Sequence, residues 1–375
     1  MVQRKMLRNL DYVFILTIMV ILGFSLVMLS SANLTIPGDP TGFVKKQSIW
    51  IVIGSVALIV AMAFDYNHIA KYNKYLYMLN IVLLTTVLLI GSTNKGATSW
   101  ISFGLFDFQP SEVAKVIIII TFAKFLVDRQ GKLDTFWQLI PCFMFVGFPM
   151  LFILVQPDLG TSLVFLAIMF GMLFVAGANP KVLLTLIIGG LIGVSVLIYV
   201  HFNFGLWLPL KEYQVMRLVV FTNPYIDELG SGYHMIQSLI AIGSGGLWGQ
   251  GLYEGSQIQL RFLPEHHTDF IFSVVGEELG FIGGGFLLVS FYLLMYRGVK
   301  IAYSAKDLYG TLIVIGIISM FTFQVFVNVG MTIAITPITG LPLPFVSYGG
   351  SAMLTNMIAV GLILNVNIRR QDLLF

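Results

Sequence analysis

The chain has 375 residues, of which 57% are hydrophobic and only 10% charged, against roughly a quarter charged in soluble domains. That composition excludes a soluble globular protein, and a net charge of +3 with no Lys/Arg-rich tract argues against nucleic acid as a partner. The single cysteine, Cys142, lies in an apolar run, cannot form a disulfide within the chain, and reads as a small buried hydrophobe.

Ten apolar stretches follow in chain order: approximately 11–31, 48–64, 75–92, 112–128, 137–155, 160–177, 181–202, 270–296, 309–334 and 351–367. Most approach the roughly 20 residues that a membrane-spanning helix needs. The first reads as a span and not as a cleaved leader, because it is long and no small-residue cleavage site precedes a soluble domain. The basic ends "MVQRKMLRNL" and "NIRRQDLLF" place both termini on the cytoplasmic side. With that orientation, two-thirds of the 21 lysines and arginines fall on the inner side. The expected fold is an all-α polytopic membrane protein, a single domain over 1–375. It has ten transmembrane helices and one large outer loop, 203–269, between helices seven and eight. That loop is not simply hydrophilic. Its stretch "GYHMIQSLIAIGSGGLWGQG" suggests short helices that lie in the interface or dip into the protein.

Charged groups at membrane depth are costly unless paired or hydrated. They gather here in the outer connections. In "NKGATSW", Lys95 can meet a phosphate as a point charge or simply snorkel. In "FQPSEVAK", Pro110 and Ser111 start a helix, and Glu112 and Lys115 share one of its faces. They form either an orienting ion pair or the lining of a substrate cavity. In "QPDLGTS", Asp158 holds a tight turn, caps the next helix, or faces a ligand. Lys211 and the Arg217 of "EYQVMR" suit an anionic headgroup or a diphosphate, or are solvated loop charges.

The densest cluster is "LPEHHTDFIFSVVGEELG", 263–280. Asp269 stands at the outer mouth of span eight, where a partly desolvated carboxylate suits a general base. Glu277 and Glu278 come two turns deeper, and at least one should face the interior and find a partner. His266 and His267 are adjacent, point apart and have no second ligand cluster, so no metal ligand is assigned. In "PITGLPLPFVSYGGS", prolines and glycines make a rigid outer loop. Its backbone groups and Ser347 are candidates for holding a ligand or shaping a cavity. These features describe an outward-facing cavity, which fits a transporter or an enzyme acting on a membrane-embedded substrate.

These motifs, in this order and spacing, resemble the shape, elongation, division and sporulation family, most closely its RodA-type members, from the first span to the last. The stretches "QIQLRFLPE" and "PLPF" are similar to the elongation branch more than to the division branch. The resemblance implies a peptidoglycan glycosyltransferase that polymerises lipid II, a disaccharide-pentapeptide on undecaprenyl diphosphate, into β-1,4-linked glycan for cell elongation and rod shape. It implies that Asp269 is the essential carboxylate and that Glu112 and Lys115 are the family's "PSExxK" pair. An α-linked diphosphate donor and a β-linked product need one inversion and one base, unlike the two carboxylates of ordinary glycoside hydrolysis. The leaving diphosphate needs positive charge from Lys95, Lys211, Arg217 or a divalent cation, Mg or Mn. The implied partners are a class B penicillin-binding protein transpeptidase and other elongation-complex membrane proteins. The implied location is the bacterial cytoplasmic (inner) membrane, with the active site on its outer face. Two other readings stand beside this one. A lipid II flippase should show polar groups at the midplane or on both faces, and a non-catalytic scaffold leaves Asp269 unexplained.

Overall fold

A computed structural model describes residues 9–34, 41–94, 97–102, 104, 107–205, 211–227 and 230–370. Ten long helices cover the ten apolar stretches: α1 (Tyr12–Asn33), α2 (Gly42–Ala63), α4 (Asn73–Ile90), α5 (Pro110–Val127), α6 (Phe136–Val155), α7 (Leu159–Val175), α8 (Pro180–Phe204), α12 (Ile271–Tyr303), α13 (Leu308–Thr332) and α14 (Gly350–Ile368). Eight are long and apolar enough to cross a membrane. The other two are α5, which carries Glu112, Lys115 and Lys124, and α7, which has 17 residues. Short helices fill the rest: α3 (Tyr66–Lys71) and, in the large loop, α9 (Glu212–Thr222), α10 (Ser231–Gly245) and α11 (Ser256–Gln259).

Burial separates the centre from the rim. In α14, 83% of the apolar window is buried, and in α13 67%, against 6% in α8. Helix α14 packs along α2, while α13 packs against α12, α7 and α5, and α12 against α1. Only Leu183 of α8 is buried, so nearly all of that long apolar helix faces outward. At one end of the bundle the described chain ends meet, with Asn367 Nδ2 donating to Asn9 O at 2.9 Å. The Asp11 carboxylate there caps α1 by accepting from Phe14 N at 3.0 Å and binds Arg297 of α12 through both oxygens. At the other end lie the loops with the candidate residues.

Two features differ from the sequence reading. The connection between α4 and α5 contains three short antiparallel strands, β1 (Ser92–Asn94), β2 (Ala97–Ser102) and β3 (Asp107–Phe108). They are too short to show a period-2 pattern, although β2 carries the Thr, Trp and Ile that favour strands. The eighth apolar stretch is also two helical pieces, broken at Gly280 (φ 62°). The break is occupied by the glycine-rich turn after α10. Gln250 N and Gly251 N donate to the Glu277 and Glu278 carbonyls at 2.9 and 3.1 Å, and Phe281 N donates to Gly246 O at 2.9 Å. The backbone groups freed by the kink are thus satisfied by the long segment between α8 and α12. The approach is so close that a Cβ at Gly280 would lie 2.4 Å from Gly249 N, and one at Gly249 would lie 2.0 Å from Glu278 O.

Gly280→Ala should therefore destabilise the protein. The left-handed backbone costs about 1–2 kcal/mol with a side chain, and the collision adds about 1–3 kcal/mol. The unfolding midpoint in detergent should fall clearly. Gly285→Ala on the same helix, where an added Cβ meets nothing within 4 Å, should leave it unchanged.

Candidate active site

Asp269 sits in the turn that leads into α12, partly exposed, and the backbone around it is held from outside. Three successive carbonyls are each taken by a donor from elsewhere. Tyr348 N donates to His267 O at 3.0 Å, Ser347 Oγ to Thr268 O at 2.6 Å, and Asn328 Nδ2 to Asp269 O at 2.9 Å. Asn328 Nδ2 also donates to Leu341 O at 2.8 Å, and Ser347 Oγ accepts from Leu343 N at 2.8 Å. The loop 337–349 and the Asp269 turn are therefore one unit. Helix α2 closes its side: Gln47 Nε2 donates to Ser347 O at 3.3 Å, and Phe43 stacks on His267 with ring centroids 4.4 Å apart.

The positive side of the site comes from α9. Tyr213 Oη and Gln214 Nε2 donate to Pro157 O at 2.8 and 3.1 Å, which fastens α9 to the turn before α7. Arg217, one turn further on, lies 5.5 Å from the Tyr213 ring centroid and donates through Nη1 to Thr339 O at 3.3 Å. One bond to a carbonyl leaves other guanidinium N–H groups to meet an oxyanion. Gly340 (φ 75°) lies close to both charges. Its missing Cβ would be 3.4 Å from Asp269 Oδ2 and 3.9 Å from Arg217 Nη1. A carboxylate and a guanidinium thus border one patch of backbone that carries no side chain.

Beneath this lies the second charged group. Lys115 Nζ and Glu112 Oε1 are 2.8 Å apart and 0% and 2% exposed, so this is a fully desolvated pair. Asp158 caps α7, accepting from Thr161 N at 2.9 Å and Thr161 Oγ1 at 2.7 Å. Burial pushes its carboxyl above the usual range. The Thr161 bonds and the nearby Lys115 ammonium pull it back in part, and Glu112 adds to the rise. Burial likewise raises the Tyr213 hydroxyl, against the pull of Arg217.

The structure brings most of the sequence-derived candidates into this region. Arg217 and Asp269 share Gly340, while Asp158, Glu112 and Lys115 act on one another. Lys211 is exposed at the start of α9. Lys95 lies outside the described residues. Ser347 is buried, and its hydroxyl both donates and accepts within the protein, so its visible role is a brace. Glu277 accepts from Gln257 N at 2.7 Å at the start of α11, and Glu278 accepts from Ser31 at the end of α1. His266 points its ring nitrogens at the Leu263 and Ala32 carbonyls, 2.7 and 2.8 Å away, and its ring stands at 79° to that of His267. Among the described residues no three His, Cys, Asp or Glu side chains gather as a metal site. Sequence reasoning passed over Asn328 and Tyr213. Gln324 and Asn328, four apart in an otherwise apolar helix, were the available signal.

A family model of cell cycle proteins, covering FtsW, RodA and SpoVE, matches residues 10–372. The chain belongs to this family. It is 39% identical over 364 residues to stage V sporulation protein E of Bacillus subtilis (strain 168), covering 95% of this chain and 96% of that protein. It is 37% identical over 369 residues to peptidoglycan glycosyltransferase MrdB of Escherichia coli (strain K12), covering 97% and 95%. Its fold is similar to a chain of a peptidoglycan synthase complex solved for the structural coordination of polymerization and crosslinking. The TM-score there is 0.79 at 32% identity, covering 97% of this chain and 99% of the other. It is also similar to the crystal structure of Thermus thermophilus rod shape determining protein RodA, with a TM-score of 0.69 at 28% identity, covering 97% and 98%.

In this FtsW/RodA/SpoVE-family chain the Glu112–Lys115 pair should be strongly coupled. Lys115→Met alone leaves a buried carboxylate without its cation, a loss of about 3–5 kcal/mol. Adding Glu112→Gln should recover much of that loss, so the double variant should unfold later than the sum of the singles requires. Simple additivity in detergent denaturation would show that the two are independent.

Proposed function

We propose that this protein polymerises lipid II into β-1,4-linked glycan, with Asp269 as the general base and inversion at the donor sugar. The observation that carries the reading is the placement of the Asp269 carboxylate and the Arg217 guanidinium beside the same bare Gly340 backbone. Asp269 takes the proton from the acceptor hydroxyl as that oxygen attacks the anomeric carbon of the donor. The bond to the diphosphate breaks, and Arg217 neutralises the charge that leaves. Diphosphate is a good leaving group, so no acid is needed opposite the base. Relatives named peptidoglycan glycosyltransferases support the same reaction class. We assign the chain to cell elongation on its RodA-type motifs.

A divalent cation, Mg or Mn, fits only the mode in which Mg²⁺ binds beside phosphates, through substrate oxygens and a single carboxylate. Asp158, beside Lys115, is the carboxylate that would hold it, in its ionised form and at the expense of the bonds it now accepts from Thr161. Bound there, the ion would offset charge on the leaving diphosphate. The remaining assignments follow the same reading. The chain sits in the bacterial cytoplasmic (inner) membrane with ten spans and both ends inside. The Asp269 site opens outward. The partner is a class B penicillin-binding protein transpeptidase within a wall-elongation assembly, a pairing supported by the fold's likeness to a chain from a complex that couples polymerization with crosslinking.

Two measurements test this. Asp269→Asn keeps size and shape but cannot accept a proton. It should lose lipid II polymerisation by about 10²–10⁴-fold while remaining folded. Near-normal polymerisation by that variant removes Asp269 as the base. Lipid II translocation by a parent protein that makes no glycan points to a flippase instead. For orientation, external thiol labelling of intact cells should reach Ser231→Cys at the start of α10 and miss Ser304→Cys beyond α12. The native Cys142 is buried, so the background is low. The reverse pattern would place the site on the inner face.

A further inference from the structure

We propose that Asn328 is a positioning residue that sets the distance between the Asp269 base and the Gly340 backbone. The inference rests on the reading of Asp269 as the base. Asn328 lies near the C-terminal end of α13 and is 0% exposed. Its single Nδ2 donates to Asp269 O at 2.9 Å and to Leu341 O at 2.8 Å. Two carbonyls can be met at once only by the NH₂ end of an amide, since the other end is an acceptor. The side chain accepts a price for this orientation: its Oδ1 is buried with no hydrogen-bond partner among the described residues.

The two carbonyls belong to the two walls of the site. One is on the residue that carries the base. The other is one residue past Gly340, whose absent Cβ would lie 3.4 Å from Asp269 Oδ2 and 3.9 Å from Arg217 Nη1. The hydrogen bonding of α12 begins with Ser273 N donating to Phe270 O, so the Asp269 carbonyl lies before the helical ladder. Asn328 supplies the anchor that the helix does not. The neighbouring carbonyls of His267 and Thr268 are held separately by Tyr348 N and Ser347 Oγ. Removing the Asn328 donors therefore frees the base locally while the loop stays attached. A base displaced by about 1 Å loses on the order of 10²-fold in rate.

The test uses the full chain with lipid II and two variants. Asn328→Leu keeps the shape and removes both donors, and Asn328→Gln keeps the amide but moves it by one methylene. Turnover should fall by ~30-fold or more in both, with KM within about threefold of the parent. The solvent isotope effect on turnover should rise, because proton transfer to a displaced base becomes the slower step. Loss of folded protein would lower turnover without changing that isotope effect, and the thermal midpoint counts the folded fraction. If Asn328→Leu does not fold, Asn328→Gln decides. Parent-like turnover in a folded variant, or a loss that follows the unfolded fraction with no isotope change, overturns the proposal. Asp269→Asn separates this from the parent reading. If it polymerises normally, the base assignment fails. If it is inactive while the Asn328 variants work, only the positioning role fails.

Discussion

The site depends on where three consecutive carbonyl groups are held. His267, Thr268 and Asp269 come just before α12, where a chain entering a helix has not yet joined its hydrogen-bond ladder. Buried backbone groups without partners are costly, so these carbonyls must find donors. Tyr348, Ser347 and Asn328 supply them from α13 and the loop between α13 and α14. Helices α13 and α14 are among the most buried of the bundle. The Asp269 turn is therefore fixed to the buried centre of the protein and not to a free-standing loop.

The same logic runs through the long segment between α8 and α12. Its glycine-rich turn enters the break in α12 at Gly280 and satisfies the backbone groups that the break exposes. Glu277 and Glu278 reinforce the join from the other side, meeting the start of α11 and the end of α1. That segment is thereby part of the helix bundle, which allows α9 to present Arg217 beside the Gly340 backbone that Asp269 also approaches. Tyr213 and Gln214, bonded to Pro157 O, set the other end of α9. Arg217 is consequently braced on two sides, by the turn before α7 and by Thr339.

Charge at this site is arranged in two layers. The outer layer, Asp269 and Arg217, is partly exposed. The inner layer, Glu112 and Lys115, is sealed from solvent. A sealed ion pair adds little net stability compared with an apolar pair, but it is very costly to half-remove. Its effect here is to place a fixed positive group near Asp158, at the point where α5 and α7 begin. Oriented fixed charges of this kind need no rearrangement when charge develops during a reaction.

Much of this was legible in the residue order. Long apolar runs have no stable alternative to helices in a bilayer, so ten helices appeared where ten runs were read. Polar residues set against such runs had to be sites or paired charges, which singled out Asp269, Arg217, Asp158, Glu112 and Lys115. The short strands were not legible, because their pairing rather than their pattern defines them. The split of α12 was not legible either, since Gly280 in a helix signals a break only when something occupies it. Asn328 looked like one polar residue in an apolar span until the fold brought two carbonyls to its amide. The sequence by itself determined which groups could not remain alone in lipid. Only the tertiary structure decided the distant partners, because Asn328 meets carbonyls 13 and 59 residues away along the chain and Arg217 one 122 residues away, and these are joined only when the helices pack.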